Sequence, residues 1–330
     1  MYKNGSGLSF PSGRVLSTNS PMFRDMKKLE ILICSFLFLF AATSCLHDDL
    51  SDCHEQVYLK MTYTLNADYI DKFSRSVEEV AVFIYDADEV FVKKEEARVS
   101  ELIHSNTLPL NLPAGEYTAI VWGNALTDDY EISGTESLST LRLKLLTQGN
   151  QPLHTDLPHL FHGIIDFEVT REKEQEVTVD LIKNTNSIRI VLQGIYETRS
   201  APNSDYAVRI TGSNGIYRYD NTKEEAQSSL QYIPTYTTSE GVSVWADFTV
   251  LRLVRDDDLR VQVTEKGDSK IYELLTERLF RSAYVTTDED LDRYDNFTLT
   301  YTFYEELDEF FLTAIKVEDW EMKIDPGINI

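Results

Sequence analysis

The residue whose position points most directly to chemistry is Cys45, which follows a short apolar segment near the start of the chain. The stretch Met26–Cys45 reads MKKLEILICSFLFLFAATSC, in which two lysines precede an apolar run over residues 31–42, small residues and the cysteine. The run is too short to span a hydrocarbon core, which takes about 20 residues, and it has the form of a secretory signal peptide. We therefore predict that residues 26–44 are a lipoprotein signal peptide and that the Cys45 thiol is the site of lipidation.

The segments on either side of this signal peptide have different expected roles. Residues 1–25 are rich in serine, glycine and asparagine, and Met26 is a better start, so we predict an upstream segment that is mis-assigned or has no structural role. Residues 45–56 contain several acidic side chains and form a predicted acidic tether. This acidic run is either a signal for surface export or a solvated linker. Several acyl chains, palmitate included, would hold the protein more firmly than one.

Histidine spacing supplies the next candidate for chemistry. His154, His159 and His162 lie near Asp156 and Asp166, and three imidazoles can bind zinc when a fold brings them together. Two prolines place the segment in a loop, and its spacing matches no zinc motif. We therefore interpret these histidines as surface or structural residues and predict neither a metal nor a cofactor.

No pattern in the chain selects a catalytic site. The acidic clusters at residues 256–258 and 305–309 lack the spacing of a calcium loop and are interpreted as solvated turns. Acidic residues are too numerous to single out a catalytic pair. Trp122, Trp245 and Trp320 are candidates for a sugar platform, but each lies within or at the end of a strand pattern, so we predict core packing. We predict no catalytic residue, no enzymatic activity and no small-molecule substrate.

Charge and cysteine content exclude further classes of protein. The formal net charge is −24, which argues against nucleic acid and against a polybasic contact with anionic lipid. Of the three cysteines, Cys34 leaves with the signal peptide and Cys45 is consumed by lipid. Only Cys53 remains, as a small buried hydrophobe or a free thiol, so a disulfide framework is excluded.

Period-two alternation of apolar residues dominates the mature chain and predicts half-buried strands. It occurs at residues 57–63, 108–112, 188–192 and 297–303, and the continuous apolar run Val80–Tyr85 predicts an inner strand. Many short strands with few helical patterns predict an all-β protein of two tandem antiparallel β-sandwiches. The predicted domains are residues 57–184 and 185–330, and the polar segment 183–186 forms the break between them.

Local signals predict three turns. Asn66 is expected to cap a helical turn that runs to Phe73. The sequence Ser213-Asn214-Gly215 predicts a two-residue hairpin, and Lys266-Gly267-Asp268 predicts a second turn between strands.

Six segments occur in an informative order: CLHDDLSDC at 45–53, VAVFIYD at 80–86, LPAGEYTAIVWGN at 112–124, DLPHLFHG at 156–163, LIKNTNSIRI at 181–190 and IKVEDW at 315–320. Together they resemble the FimB-type fimbrial anchor subunits of Bacteroides-like bacteria. The resemblance implies two transthyretin-like domains. It also implies a position at the base of a fimbrium, lipid-anchored through acylated Cys45 and surface-exposed at the cell outer membrane, with other fimbrial subunits as partners.

The resemblance also implies strand exchange, in which an extended segment of one subunit completes the sheet of its neighbour. The expected donor lies after Trp320 and offers Met322, Ile324, Ile328 and Ile330, although Asp325-Pro326-Gly327 interrupts it. Arg171 and Arg189 lie in or beside predicted strands and not in a processing loop, which favours an anchor over a shaft subunit.

The alternative is a surface-exposed glycan- or protein-binding lipoprotein on the same fold, because sandwiches support many functions. An exchangeable edge strand would favour the anchor. Exposed aromatic side chains in a groove would favour a glycan-binding protein.

Overall fold

Alternating apolar side chains build strands along most of the described chain. The computed structural model describes residues 55–103, 105–147, 157–171, 175–194, 206–224, 230–239 and 243–327. The strands are β1 (Glu55–Thr62), β2 (Glu79–Asp86), β3 (Phe91–Arg98), β4 (Thr107–Leu112), β5 (Gly115–Gly123), β6 (Tyr130–Ser133), β7 (Arg142–Leu145), β8 (Phe161–Val169), β9 (Gln175–Asp180), β10 (Ile182–Lys183), β11 (Thr185–Gln193), β12 (Tyr206–Gly212), β13 (Ile216–Arg218), β14 (Lys223–Glu224), β15 (Leu230–Tyr232), β16 (Thr235–Ser239), β17 (Ser243–Leu251), β18 (Arg260–Glu265), β19 (Asp268–Leu274), β20 (Asn296–Tyr304), β21 (Glu309–Val317) and β22 (Trp320–Lys323).

The helices are short and lie between strands. They are α1 (Phe73–Ser76), α2 (Leu275–Leu279) and α3 (Asp288–Arg293). Among the described residues, no helix has the length and apolar character needed to cross a membrane. The prediction of an all-β protein is confirmed.

The first sandwich packs a three-stranded sheet, in the order β4-β1-β9, against a five-stranded sheet, in the order β10-β8-β5-β2-β3. Strand β1 is antiparallel to β4 and parallel to β9. Val57, Leu59 and Met61 of β1 are fully buried in the same core as Val82 of β2. The alternating strand predicted at residues 57–63 is therefore present, with its apolar side chains facing the second sheet.

Strand β2 is buried on both faces, which explains its continuous apolar sequence. One face joins the core just described, whereas Phe83 and Tyr85 join a second core together with Leu143 and Tyr217. This second core is lined by a four-stranded sheet in the order β14-β13-β7-β6. Tyr217 of β13 pairs with Leu143 of β7, so strand pairing crosses the predicted domain boundary at 184/185. The described residues all belong to one compact unit.

The second sandwich packs a six-stranded sheet, in the order β16-β17-β11-β20-β21-β22, against a four-stranded sheet, in the order β15-β12-β18-β19. Strand β11 lies inside the larger sheet, antiparallel to β17 and parallel to β20. Ile188, Ile190 and Leu192 of β11 are buried with Leu299 of β20 and Val261 of the facing sheet. These inward side chains follow the predicted period of two.

The two predicted strand-to-strand turns have different outcomes. Lys266 and Gly267 join β18 to β19 as predicted, and their φ values of 50° and 98° suit a two-residue hairpin. The hairpin predicted at residues 213–215 is wrong, because β12 pairs with β15 and β18 whereas β13 pairs with β7. Asn214 is buried, where its amide donates to Leu251 O (3.1 Å) and accepts from the Tyr232 hydroxyl (2.9 Å). The segment therefore carries the chain from one sheet to another.

The helical turn after β1 begins later than predicted. Helix α1 starts at Phe73, whose N–H donates to Asp71 Oδ1 (2.9 Å), so the prediction that Asn66 caps a helical turn running to Phe73 is wrong. Asn66 Oδ1 instead accepts from Asp68 N (3.1 Å) in a separate turn. Asn66 is buried, and its amide donates to the backbone oxygens of Tyr63 (3.0 Å) and Ile70 (2.7 Å). Because a buried amide needs hydrogen-bond partners, Asn66 closes this loop from inside and leaves Tyr69 on the surface.

We call the polar segment Lys183–Asn186 the junction. It was predicted as a polar break between two domains, but it is buried and not solvated. Its four residues are at most 4% exposed. Asn184 and Asn221 exchange two side-chain hydrogen bonds, one of them from Asn221 Nδ2 to Asn184 Oδ1 at 2.9 Å. The Asn186 amide donates to two backbone oxygens, in α3 and just after it, at 3.1 and 3.2 Å. These bonds fix the chain where it passes between the sandwiches, because breaking any of them leaves a buried amide unpaired.

His162 has a structural role beside the junction. Its Nε2 lies 2.8 Å from Tyr219 O, and its ring centroid lies 4.5 Å from that of Trp122. Burial lowers the pKa of His162 to about 4. The neutral imidazole therefore donates its Nε2 proton to the Tyr219 oxygen in the folded protein.

The other candidate metal ligands are not brought together. His159 Nδ1 lies 3.1 Å from Thr185 Oγ1, and Asp166 is exposed on β8. His154 and Asp156 lie outside the described residues. Within the described ranges, no group of three or more His, Cys, Asp or Glu side chains could hold a metal ion.

We predict that Asn184→Ala destabilises the protein by roughly 1–3 kcal/mol, because it leaves the buried Asn221 amide without its partner. Urea unfolding at neutral pH measures the change. Asn111→Ala is the matched control, since Asn111 is an exposed asparagine of β4. Equal unfolding free energies for the two variants would show that the junction bonds contribute nothing.

We also predict that His162 makes stability depend on pH. Its pKa is about 4 in the folded protein, below the ordinary value of 6.5, so the unfolded chain binds the proton more readily. The contribution of His162 to the free energy of unfolding is complete above about pH 6.5 and is lost as the pH falls towards 4. The total loss is about 3 kcal/mol. Urea midpoints measured from pH 7.5 to pH 4.5 should fall less steeply for His162→Gln than for the wild type. Parallel profiles would contradict the prediction.

Candidate functional site

The C-terminal strand β22 forms an open edge of the six-stranded sheet. It pairs antiparallel with residues 314–317 of β21, and no described strand pairs with its other side. Ile324 N extends the pairing by donating to Thr313 O at 2.8 Å. An open edge offers unpaired backbone donors and acceptors to another chain.

The segment predicted as a strand donor is engaged within its own sheet over part of its length. Trp320 and Met322 belong to β22, and Ile324 follows directly. Ile328 and Ile330 lie outside the described residues. Strand exchange at this end therefore requires either the release of β22 or the addition of a new strand to its open side.

The turn before β22 is held by Glu318. This residue has a φ of 51°, and its carboxylate accepts hydrogen bonds from Asn296 N (3.1 Å) and Asn296 Nδ2 (2.9 Å). Glu318 N donates in turn to Asn296 O at 2.8 Å. These contacts tie the turn to β20, so the first residue of β22 has a fixed position.

Trp320 lies at the centre of an exposed group of aromatic side chains. Its ring centroid lies 5.7 Å from that of Tyr284 and 5.6 Å from that of Tyr294. Tyr69, in the loop after β1, lies under the Arg293 guanidinium at 4.6 Å. We call Tyr69, Tyr284, Tyr294 and Trp320 the aromatic cluster; Tyr69 is 68% exposed and Trp320 is 44% exposed. Tryptophan, tyrosine and arginine are enriched where binding energy concentrates in interfaces, so the cluster is a candidate docking surface.

The prediction that all three tryptophans pack in the core is only partly right. Trp122 is fully buried, but Trp245 is half-buried, with the Arg189 guanidinium 4.6 Å from its ring. For Trp320 the prediction is wrong, because β22 is the last strand of its sheet. Alternation predicts which face of a strand a side chain occupies, but not whether the strand lies at an edge.

A polar groove of about 660 Å³ lies on the outer face of the six-stranded sheet. Arg189 and Asp247 lie in its lining and form a bidentate ion pair with N–O distances of 2.5 and 3.1 Å. The two phenylalanines that line it, Phe248 and Phe297, are buried. Among its described lining residues, the groove therefore lacks the exposed aromatic ring that a sugar platform would need.

The edge strand β3 of the first sandwich contrasts with β22. It carries Lys93, Lys94, Glu95 and Glu96 in succession. Charged side chains along an edge disfavour pairing with a strand from another chain. Of these two edges, β22 is therefore the one suited to a partner.

The end of the chain predicted to carry lipid lies outside the described residues, as do both Cys45 and Cys53. Lipidation of Cys45 and the state of Cys53 stay predictions. The first described residue is Glu55, which begins β1, so the predicted tether enters the first sandwich at the start of this strand.

The sequence matches the family of fimbrillin-A associated anchor proteins Mfa1 and Mfa2 over residues 50–325. It is 23% identical over 268 residues to the minor fimbrium anchoring subunit Mfa2 of Porphyromonas gingivalis, a match that covers 75% of this chain and 79% of that relative.

Two solved structures share the fold. A candidate polysaccharide-binding protein from Bacteroides thetaiotaomicron is 24% identical with a TM-score of 0.73, over 82% of this chain and 98% of that chain. The fimbrial anchor protein Mfa2 from Porphyromonas gingivalis is 18% identical with a TM-score of 0.68, over 82% of this chain and 99% of that chain. At these identities the structural likeness concerns the fold alone. Because the family match covers most of the sequence, the resemblance to fimbrial anchor subunits is confirmed, and the chain belongs to the family of fimbrillin-A associated anchor proteins Mfa1 and Mfa2.

Proposed function

We propose that the protein is a fimbrial anchor subunit that attaches a filament to the outer membrane. The observation that carries this proposal is the family match over residues 50–325, which begins shortly after the predicted signal peptide 26–44 and the predicted lipidation site Cys45. Lipid on Cys45 holds one end of the protein at the membrane. Other fimbrial subunits bind elsewhere on its surface, and no catalytic step is required.

The strand directions suit a subunit that transmits mechanical force. Strand β1 begins at the tether and is hydrogen-bonded on both sides, to β4 and to β9. The end of β1 is joined to the residues just before the junction by the bond from Leu181 N to Thr62 O (2.8 Å). Strand β11 begins within the junction and lies inside the six-stranded sheet. A force along these strands loads many backbone hydrogen bonds at once, which resists separation better than loading them one by one.

The proposed contact with the next subunit is strand exchange at β22. Backbone groups on the open side of β22 supply affinity, and the aromatic cluster beside them supplies desolvated side-chain contacts. The Arg293 guanidinium over Tyr69 adds a polar group suited to an interface. This arrangement places backbone pairing and aromatic contact on neighbouring parts of one surface.

The alternative function, a glycan- or protein-binding surface lipoprotein, is supported by the exposure of Trp320. One observation argues against glycan binding, because the aromatic cluster does not line the polar groove of the six-stranded sheet. A groove combining exposed rings with hydroxyl-binding side chains would favour glycan binding, and the two features are separated here. We therefore favour the anchor.

Replacing Cys45 is expected to release the protein from the membrane. Cys45→Ala removes the thiol that accepts lipid, so the protein should lose lipid labelling and leave the outer-membrane fraction. Labelling with a fatty-acid analogue and cell fractionation measure both effects. Cys53→Ala is the matched control and should retain lipid and location. Undiminished labelling of Cys45→Ala would refute lipidation at this residue.

Replacing Trp320 is expected to weaken binding of fimbrial subunits with little effect on folding. Removing a central interface aromatic costs about 2 kcal/mol or more, so recovery of subunits with the anchor should fall by about tenfold or more. Quantitative mass spectrometry of purified surface complexes measures the recovery. Tyr272→Ala is the control, since Tyr272 is an exposed aromatic on the edge strand β19. If Trp320→Ala and Tyr272→Ala recover subunits equally, the aromatic cluster is not the contact.

A further inference from the structure

A lysine and an aspartate from opposite sides of the junction meet in an ion pair that is buried on the lysine side. Lys183 ends β10 and is 4% exposed, and its ammonium pairs with Oδ1 of Asp295, the residue before β20, whose side chain is 33% exposed. The backbone around both residues is fixed. Ser187 N donates to Asp295 O at 2.9 Å, and Asn184 N donates to Leu160 O at 2.6 Å.

A tyrosine hydroxyl borders this pair. The Tyr63 hydroxyl is buried beside the Asp295 carboxylate, whose Oδ1 contacts the Lys183 ammonium. Among the described residues, this hydroxyl has no well-aligned hydrogen bond. Buried polar atoms nearly always find such partners, so the unpaired hydroxyl beside an ion pair requires an explanation.

Burial also changes the chemistry of the amine. It lowers the pKa of Lys183 below its ordinary value, and the opposing effect of the Asp295 carboxylate is smaller. Burial, followed by the charge of Asp295, raises the pKa of Tyr63, which therefore stays a hydrogen-bond donor. A desolvated lysine that loses its proton more easily than usual is a nucleophile.

We propose that Lys183 and Asp295 condense to form an intramolecular amide, an isopeptide bond between the two sandwiches. A proton first passes from the ammonium to the carboxylate, which gives a neutral amine and a neutral acid. The nitrogen then attacks the side-chain carbonyl carbon, so a C–N bond forms and the C–OH bond breaks. The second proton lost by nitrogen joins the leaving hydroxyl, and one water molecule is released. Nothing is oxidised or reduced.

Three features favour condensation at this position. The fold holds the two groups together, which replaces a bimolecular step by an intramolecular one of high effective concentration. The amide is neutral, so condensation removes the buried charge of the Lys183 ammonium, whose desolvation is unfavourable, together with the half-buried charge of Asp295. The Tyr63 hydroxyl gains an acceptor in the new amide carbonyl.

A second buried pair shows why the reaction is specific to Lys183. Lys223 Nζ lies 2.5 Å from Asp257 Oδ1, but the Lys223 side chain is 19% exposed and also contacts Asp258. Burial lowers the pKa of Lys223, but the hydrogen bonds and charges of Asp257 and Asp258 together outweigh burial and raise this pKa above its ordinary value. Its ammonium therefore holds its proton, and the pair remains ionic.

Peptide mapping of the full-length lipoprotein tests the proposal. The protein is purified from its host, denatured and digested with trypsin, which does not cleave after a modified lysine. We expect a branched peptide that joins residues 174–189 to residues 294–316, lighter than its two parts by one water molecule. Finding only linear peptides cleaved after Lys183 would overturn the proposal.

Variants assign the bond to its residues. Lys183→Arg keeps the positive charge but cannot condense, and Asp295→Ala removes the acyl group, so both should lose the branched peptide. Lys223→Arg is the matched control and should retain it. Circular dichroism and urea unfolding of each variant before digestion establish that it is folded, because the bond can form only where the fold holds the two groups together. A branched peptide of this composition in Lys183→Arg or Asp295→Ala, or its loss in Lys223→Arg, would refute the assignment.

Discussion

The architecture depends on the burial of polar side chains where the chain passes from one sandwich to the other. A polar tetrapeptide between two alternating strand blocks would ordinarily be solvated and would let the blocks move independently. Here the amides of Asn184 and Asn186 are paired on both sides of the passage. Moving the sandwiches apart would expose or orphan these groups, so the penalty for leaving buried amides unpaired keeps the two halves in one unit.

The candidate docking surface depends on the same constraint. Tyr69 belongs to the loop after the first strand, whereas Trp320 belongs to the last described strand of the second sandwich. Neither half of the protein carries the aromatic cluster alone. The junction therefore does more than join two folding units, because it brings together side chains that would otherwise be separated, next to an open sheet edge that a neighbouring chain can use.

Period-two patterns predicted most strands because a half-buried strand must alternate, and residues 57–63 and 188–192 follow this rule closely. The junction could not be predicted in the same way, since a buried amide and a solvated amide look identical in sequence. Asn214 failed as a hairpin signal for the same reason, because its partners lie in distant strands. The exposure of Trp320 follows from the position of β22 at a sheet edge, which is a property of topology. Signal-peptide chemistry is local, so Cys45 could be predicted without any fold.

The succession of charges along β3 has a consequence for crowding. Copies held in a membrane by the proposed lipid would diffuse in two dimensions and would meet more often than the same number of molecules in solution. A bare sheet edge would then favour pairing between the anchors themselves. The run Lys93–Glu96 makes such pairing unfavourable at β3, so self-association through this edge is disfavoured even where copies are crowded.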